Sequence, residues 1–162
     1  MRLFQIQDTR DFMKKLLVTD TFDTFLLWEA SVTTFCTFHI DGAYHPEFFS
    51  TDADSSSPYP YASWEKVRPL FWSLIKGKNT PLNFRIIFRL APHNVEQLLK
   101  QSGVAMAPQD IDGLFLNLNY EKDSLTCTSG TSVKFFTLDK SLDHAWEENL
   151  EKFFRQKQIP LC

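Results

Sequence analysis

Leu82-Asn83-Phe84-Arg85-Ile86-Ile87-Phe88-Arg89-Leu90 decides the fold. Leu82, Phe84, Ile86, Phe88 and Leu90 point one way and Asn83, Arg85, Ile87 and Arg89 the other, the two-residue period of a β-strand. After it, Pro92 to Ser102 carries Val95, Leu98 and Leu99 at helical spacing and ends at Gly103. Leu114, Leu116, Leu118 and Tyr120 then alternate with Phe115, Asn117 and Asn119. Glu121-Lys122-Asp123-Ser124 turns this strand into another, expected from Leu125 to Phe136. Asp139 caps a last helix with Leu142, Trp146, Leu150 and Phe153 inward, acids near its start and bases near its end.

Working back from Leu82, Trp64 to Lys76 reads as a helix with Val67, Leu70, Phe71, Leu74 and Ile75 inward and Gly77 closing it. Pro69 biases Arg68 away from the α region, which moves the start of the regular helix as late as Pro69. Residues 50–62 read as a surface loop around Ser55-Ser56-Ser57-Pro58. Phe22 to Ile40 is rich in strand formers and long enough to need a hairpin, turning near Thr33-Thr34-Phe35. Asp41-Gly42 supplies the next turn, with Tyr44 to Phe49 as a third strand. Leu3 to Gln7 is a short strand, and Asp8 caps a helix running to Val18 with Phe12, Met13, Leu16 and Leu17 on one face.

The expected class is therefore α+β. Residues 3–41 and 82–136 share the order strand, helix, hairpin, which suggests two βαββ-like halves within one domain spanning 1–162. Antiparallel hairpins in one or two curved sheets, with helices packed on them, would be analogous to sliding-clamp folds, an analogy that carries no activity.

Composition sets the outer bounds. A chain of 162 residues buries a real core without staples. Its 16 phenylalanines, with four Trp and four Tyr, predict a core built largely from rings. Cys36, Cys127 and Cys162 form no CxxC pair and no even framework, which suits a reducing compartment. No apolar run approaches the ~20 residues of a membrane helix, and the N-terminus lacks the pattern of a signal peptide. A cytoplasmic protein without membrane partners is expected.

Several short motifs lie along this framework: Phe12-Met13 with Leu16-Leu17, Phe22-Asp23 with Phe25, Glu29-Ala30 and Ile40-Asp41-Gly42 in the first half. The second half adds Trp64, Arg68-Pro69, Lys76-Gly77-Lys78, Asn117 with Tyr120, Thr128-Ser129-Gly130-Thr131-Ser132 and Asp139-Lys140. Together they resemble an uncharacterised family of small proteins of unknown function from clostridia-type anaerobic bacteria. The resemblance covers nearly the whole chain and implies a one-domain bacterial cytosolic protein. It brings no activity and no catalytic residues.

Chemistry is suggested first by charge segregation, hidden in a net charge of −3. Residues 16–65 hold eight acids and no Lys or Arg, whereas residues 66–95 hold six bases and no acid. Such neighbouring fields either grip an anionic partner in one orientation or neutralise each other across strands. Trp72 lies about 80° off the core stripe of its helix, with Arg68 and Lys76 one turn to either side. Arg85 and Arg89 share a strand face and would extend a basic and aromatic patch, suited to stacking on a nucleobase and holding a phosphate backbone. An intramolecular cation–π pair would use the same residues.

Two further constellations deserve naming. Ser129, Gly130 and Thr131 form a small polar run that either makes an anion-binding nest or marks a bulge in a strand. His39, Asp41, His45 and Glu47 carry metal-ligating groups, which converge only if the turn after Ile40 is an odd loop through Gly42-Ala43-Tyr44. Gly77-Lys78-Asn79-Thr80 lacks the earlier glycine of a phosphate loop, and HExxH and GxGxxG are absent. No cofactor is expected. The favoured reading is a non-enzymatic binding module for an anionic or nucleic-acid partner. The alternatives are a homo-oligomeric interaction element, or an enzyme with its site on the 39–47 hairpin.

Overall fold

The computed structural model describes residues 1–49 and 59–162. In chain order the elements are β1 (Leu3–Gln5), α1 (Thr9–Leu17), β2 (Leu26–Thr33), β3 (Thr37–Asp41), α2 (Trp64–Ile75), β4 (Asn83–Arg89), α3 (Pro92–Ser102), β5 (Ile111–Glu121), β6 (Ser124–Val133) and α4 (Ser141–Gln156). The class is α+β. One six-stranded sheet runs in the order β1-β6-β5-β4-β2-β3, and every neighbouring pair is antiparallel.

The alternation of β4 explains the layering. Phe84, Ile86 and Phe88 are fully buried, and they share one core with Phe12 and Leu16 of α1, Trp64 and Phe71 of α2, Leu98 of α3 and Trp146 and Leu150 of α4. The helices thus cover one face of the sheet. Rings dominate this core: Phe88 stacks on Phe22 and Phe25 at centroid distances of 5.5 and 5.3 Å, and Trp64 meets it edge-on at 5.1 Å. The opposite face, carrying Arg85, Ile87 and Asn117, has no helix over it among the described residues.

Element order repeats as expected, βαββ followed by a helix, twice. Strand neighbours do not repeat. β4 lies beside β5 in the second half, whereas β1 is carried to the far edge and pairs with β6 instead of β2. The first strand is held there by main chain from the other end: Ile6 bridges Leu161, and the Cys162 amide donates to the Gln5 carbonyl at 3.0 Å.

Several boundaries differ from the sequence reading. No strand forms over Tyr44 to Phe49. Pro46 opens a 3₁₀ turn over Pro46–Phe49, because proline fixes φ and brings no N–H to a ladder. Helix α2 begins at Trp64, not Pro69. The carbonyl that Pro69 leaves without a donor belongs to Glu65, an exposed residue that water can reach. Leu70 and Leu82 are exposed, and β6 stops at Val133, leaving Phe135 and Phe136 outside the core. Phe154 is the fully buried member of its pair in α4, with Phe153 packed partly beside it. Most of the expected loop over 50–62 lies outside the described residues, as do Asp52 and Asp54 of the acidic run. No helix among the described residues is long and apolar enough to cross a membrane.

Candidate functional site

Helix α2 turns Phe71 and Ile75 into the core, and the 100° step to Trp72 carries that indole to the rim. Its side is 42% exposed. Beside it opens a groove of about 570 Å³ between α1, the end of α2 and the β5–β6 hairpin. Met13 and Leu17 of α1, Ile75 and Tyr120 give it an apolar floor. Arg10, Lys14 and Lys76 stand around it as cations, with Asp123 the one acid among its lining residues. Asp123 accepts a hydrogen bond from the Tyr120 hydroxyl at 3.0 Å. Burial and that carboxylate both push the Tyr120 phenol above its ordinary value of 10.0. Among the described residues no carboxylate lies within salt-bridge distance of Arg10, Lys14 or Lys76.

The five residues of the expected basic patch do not sit together. Trp72 and Lys76 line the groove, but Arg68 turns away from them. Its Nε and NH2 donate to the two Asp23 carboxylate oxygens at 3.0 and 2.8 Å, and NH1 donates to the Val18 carbonyl. The hydrogen bond to Asp23 raises the Arg68 pKa above its ordinary value. This guanidinium pins α2 to the segment after α1, so one cation of the basic run is neutralised by one acid of the acidic run. Arg85 and Arg89 lie across the sheet from α2, on the uncovered face.

Arg89 has its own surroundings there. The β2–β4 register shifts between Leu27 and Glu29, and a bulge of this kind re-aims the inserted side chain. The inserted residue is Trp28. Its ring, with those of Tyr61 and Phe115, lies within 5.1–5.9 Å of the Arg89 guanidinium carbon. Arg89 also donates to the Asp112 carbonyl at 2.5 Å. The intramolecular cation–π pair expected of the basic patch therefore belongs to Arg89; no cation lies over Trp72 among the described residues.

Ser129, Gly130 and Thr131 lie in the regular part of the β5–β6 ladder, opposite Leu116, Phe115 and Leu114 and clear of the register shift between Ile111 and Gly113. Gly130 has no positive φ, so the strand forms no nest. Ser129 is buried, and its hydroxyl oxygen accepts from the Arg2 amide at 2.8 Å. The Thr131 hydroxyl donates to the Asp143 carboxylate on α4. Gly130 leaves room on the uncovered face, where a β-carbon would stand 3.7 Å from that of Phe115. A concavity of about 660 Å³ on that face is lined by Trp28, Arg89, Phe115, Asn117 and Gly130.

His39 and Asp41 lie on β3, while His45 meets Glu47 at 3.3 Å across the 3₁₀ turn. The hairpin turn that would join them is missing, and no group of three or more His, Cys, Asp or Glu side chains among the described residues is placed to hold a metal. Cys127 lies within β6 with its side chain in the core, and burial pushes its thiol well up, away from nucleophilic use.

The groove itself was only half visible in the sequence. Trp72 and Lys76 were legible from helical spacing. Arg10 and Lys14 lie on α1, four residues apart and some sixty positions earlier, and only the α1–α2 contact brings them to the same rim. Comparison with known proteins finds no curated protein and no solved structure that matches this chain. One family model matches residues 15–161, and the chain belongs to that family, DUF5721, a family of unknown function.

Proposed function

We propose that this protein is a non-enzymatic binding module, and that the groove beside Trp72 takes a nucleotide unit of a single-stranded nucleic acid. One observation carries the reading: an exposed indole shares an apolar-floored groove with three cations that have no carboxylate partner among the described residues. Solvent-exposed Trp offers a face for base stacking, worth about 1–3 kcal/mol per base. Arg10, Lys14 and Lys76 supply the positive field that a phosphate backbone needs. A groove of about 570 Å³ has the size of a small-molecule site. The net charge of −3 makes a local basic rim necessary, because the molecule as a whole repels polyanions.

Titration with short oligothymidylate, followed by tryptophan emission, tests this. Trp64 and Trp146 are fully buried, so quenching reports on Trp72 and Trp28. Quenching at low salt that weakens steeply as salt rises is expected. Trp72→Ala is expected to weaken binding roughly 5- to 150-fold, the stacking range above. Lys76→Ala and Lys14→Ala should each reduce the salt slope by about one. An unchanged spectrum at low salt and high oligonucleotide concentration, or an affinity indifferent to Trp72→Ala, overturns the proposal.

A further inference from the structure

The two edges of the sheet are finished differently. At β1 the outer side is covered from Gln5 to Gln7 by the chain's own Pro160, Leu161 and Cys162, through the Ile6–Leu161 bridge and the Cys162 and Gln7 amides. At β3 no backbone group of a described residue pairs with the outer side of Thr37–Asp41.

The phase of that open edge can be worked out. Thr34 donates to the Cys36 carbonyl at 2.9 Å and Gly42 donates to the Trp28 carbonyl at 3.0 Å. In an antiparallel ladder, hydrogen-bonded pairs alternate with non-bonded ones. Val32–Phe38 and Ala30–Ile40 are therefore the bonded pairs of β2 and β3. Phe38 and Ile40 spend their amides and carbonyls inward, and Thr37, His39 and Asp41 aim theirs outward. The strand has no Lys and no Pro and its register with β2 is unbroken, so its five-residue length and the Asp41 carboxylate are the guards it carries.

We infer that β3 is the interface of a reversible two-fold dimer, in which the strand pairs antiparallel with the same strand of a second copy, centred on His39. The register is self-complementary. His39 faces His39 of the partner subunit, and Thr37 faces Asp41 of the partner subunit, twice by symmetry. All three of these pairs fall on the residues whose amides and carbonyls point outward, so each is of the bonded kind. Phe38 then meets Ile40 of the partner subunit in the closer, non-bonded pairs, where side chains touch best. Phe38 and Ile40 are only partly buried at the rim of the core. Phe35, 92% exposed and edge-on to Phe38 at 6.0 Å, extends the apolar seam. A two-fold interface of this kind closes on itself and stops at two copies, since each β3 edge is used up by the same edge of the other.

Sedimentation equilibrium of the full chain over a wide concentration range tests the inference. The average mass is expected to climb from 18.9 kDa towards twice that value. His39→Pro removes an amide that the β2–β3 ladder does not use, and His39→Lys sets like charges opposite each other across the axis. Both variants are expected to remain monomeric with the far-ultraviolet dichroism of the parent. Amide hydrogen exchange at Thr37, His39 and Asp41 should slow as the parent is concentrated. A parent that stays at 18.9 kDa into the millimolar range, or association that survives both substitutions, or a dimer whose three outward amides exchange as fast as in the monomer, overturns it.

Discussion

Trp64 shows what a single buried side chain does for this molecule. Helix α1 has nine residues, and its last carbonyls have no partners within the helix. The Trp64 indole donates to one of them, the Leu16 oxygen, at 3.0 Å while its ring fills the core beside Phe71 and Phe88. Trp64→Phe leaves that carbonyl unsatisfied and opens a small void, so a loss of roughly 2–4 kcal/mol is expected, read as a lower urea midpoint. Tyr120 makes a prediction about pH. Its ring stacks on Phe84 at 5.1 Å, and its phenol is held protonated above the ordinary value of 10.0. The unfolded phenol ionises first. The stabilisation is thus fully present below pH 10 and is lost as pH rises through the folded-state value. Tyr120→Phe is expected to flatten the alkaline fall in stability, measured by urea titrations between pH 8 and about 11.5. Of these side chains the sequence announced Tyr120 as inward by strand parity. It could not announce the Trp64–Leu16 bond, which joins residues 48 positions apart.

Among elements, α1, α3 and the β5–β6 hairpin were readable because period, cap and turn agreed: Asp8 accepts from the Asp11 amide, Gly103 takes the left-handed conformation at φ 71°, and Lys122 and Asp123 turn the hairpin with positive φ. Pro69 and the Tyr44–Phe49 segment misled for opposite reasons: neighbours override the local effect of Pro69, whereas Pro46 itself rules out the strand that the aromatic residues around it suggested. The Arg68–Asp23 ion pair and the buried ends of α2 hold the helix through its proline. Pro69→Ala is accordingly expected to raise stability by about 2 kcal/mol, the helix penalty of proline less its benefit in the unfolded chain. Thermal melting checks the sign. The β2–β3 hairpin makes the opposite prediction at Gly42. A β-carbon there would stand 1.8 Å from the Leu27 carbonyl oxygen. Gly42→Ala must shift main chain, and a cost of roughly 4 kcal/mol or more is expected, seen as loss of cooperative unfolding or of soluble protein. The bulge at Trp28 left no trace in the sequence, because an inserted residue is visible only against its partner strand.

At the scale of the whole molecule, the opposed acidic and basic runs do not simply cancel. Among the described residues Asp23–Arg68 is the salt bridge that joins them. Of the other bases, Lys76 stands at the groove, Arg85 and Arg89 lie on the uncovered face, and Lys66 lies over the Tyr44 and Phe49 rings. Composition fixed the charge balance, but the sheet decided which cations face the same way. Strand order was the least legible property of all. Parity along a strand states which residues share a face and is silent on which strand lies next door, so nothing in Leu3 to Gln5 pointed to β6.

That pairing has a temporal consequence. The Arg2 amide and the Ser129 hydroxyl that accepts from it are 127 positions apart, and among the described residues β6 is the strand that β1 pairs with. While the chain emerges from a ribosome, Leu3–Gln5 has nowhere to dock until β6 has been made. In pulse-labelled refolding, the amides of β1 are expected to gain protection after those of β4 and β5, whose pairing closes a much shorter loop. Protection of β1 ahead of the central hairpins would show that an early collapsed intermediate, not the ladder, brings it home.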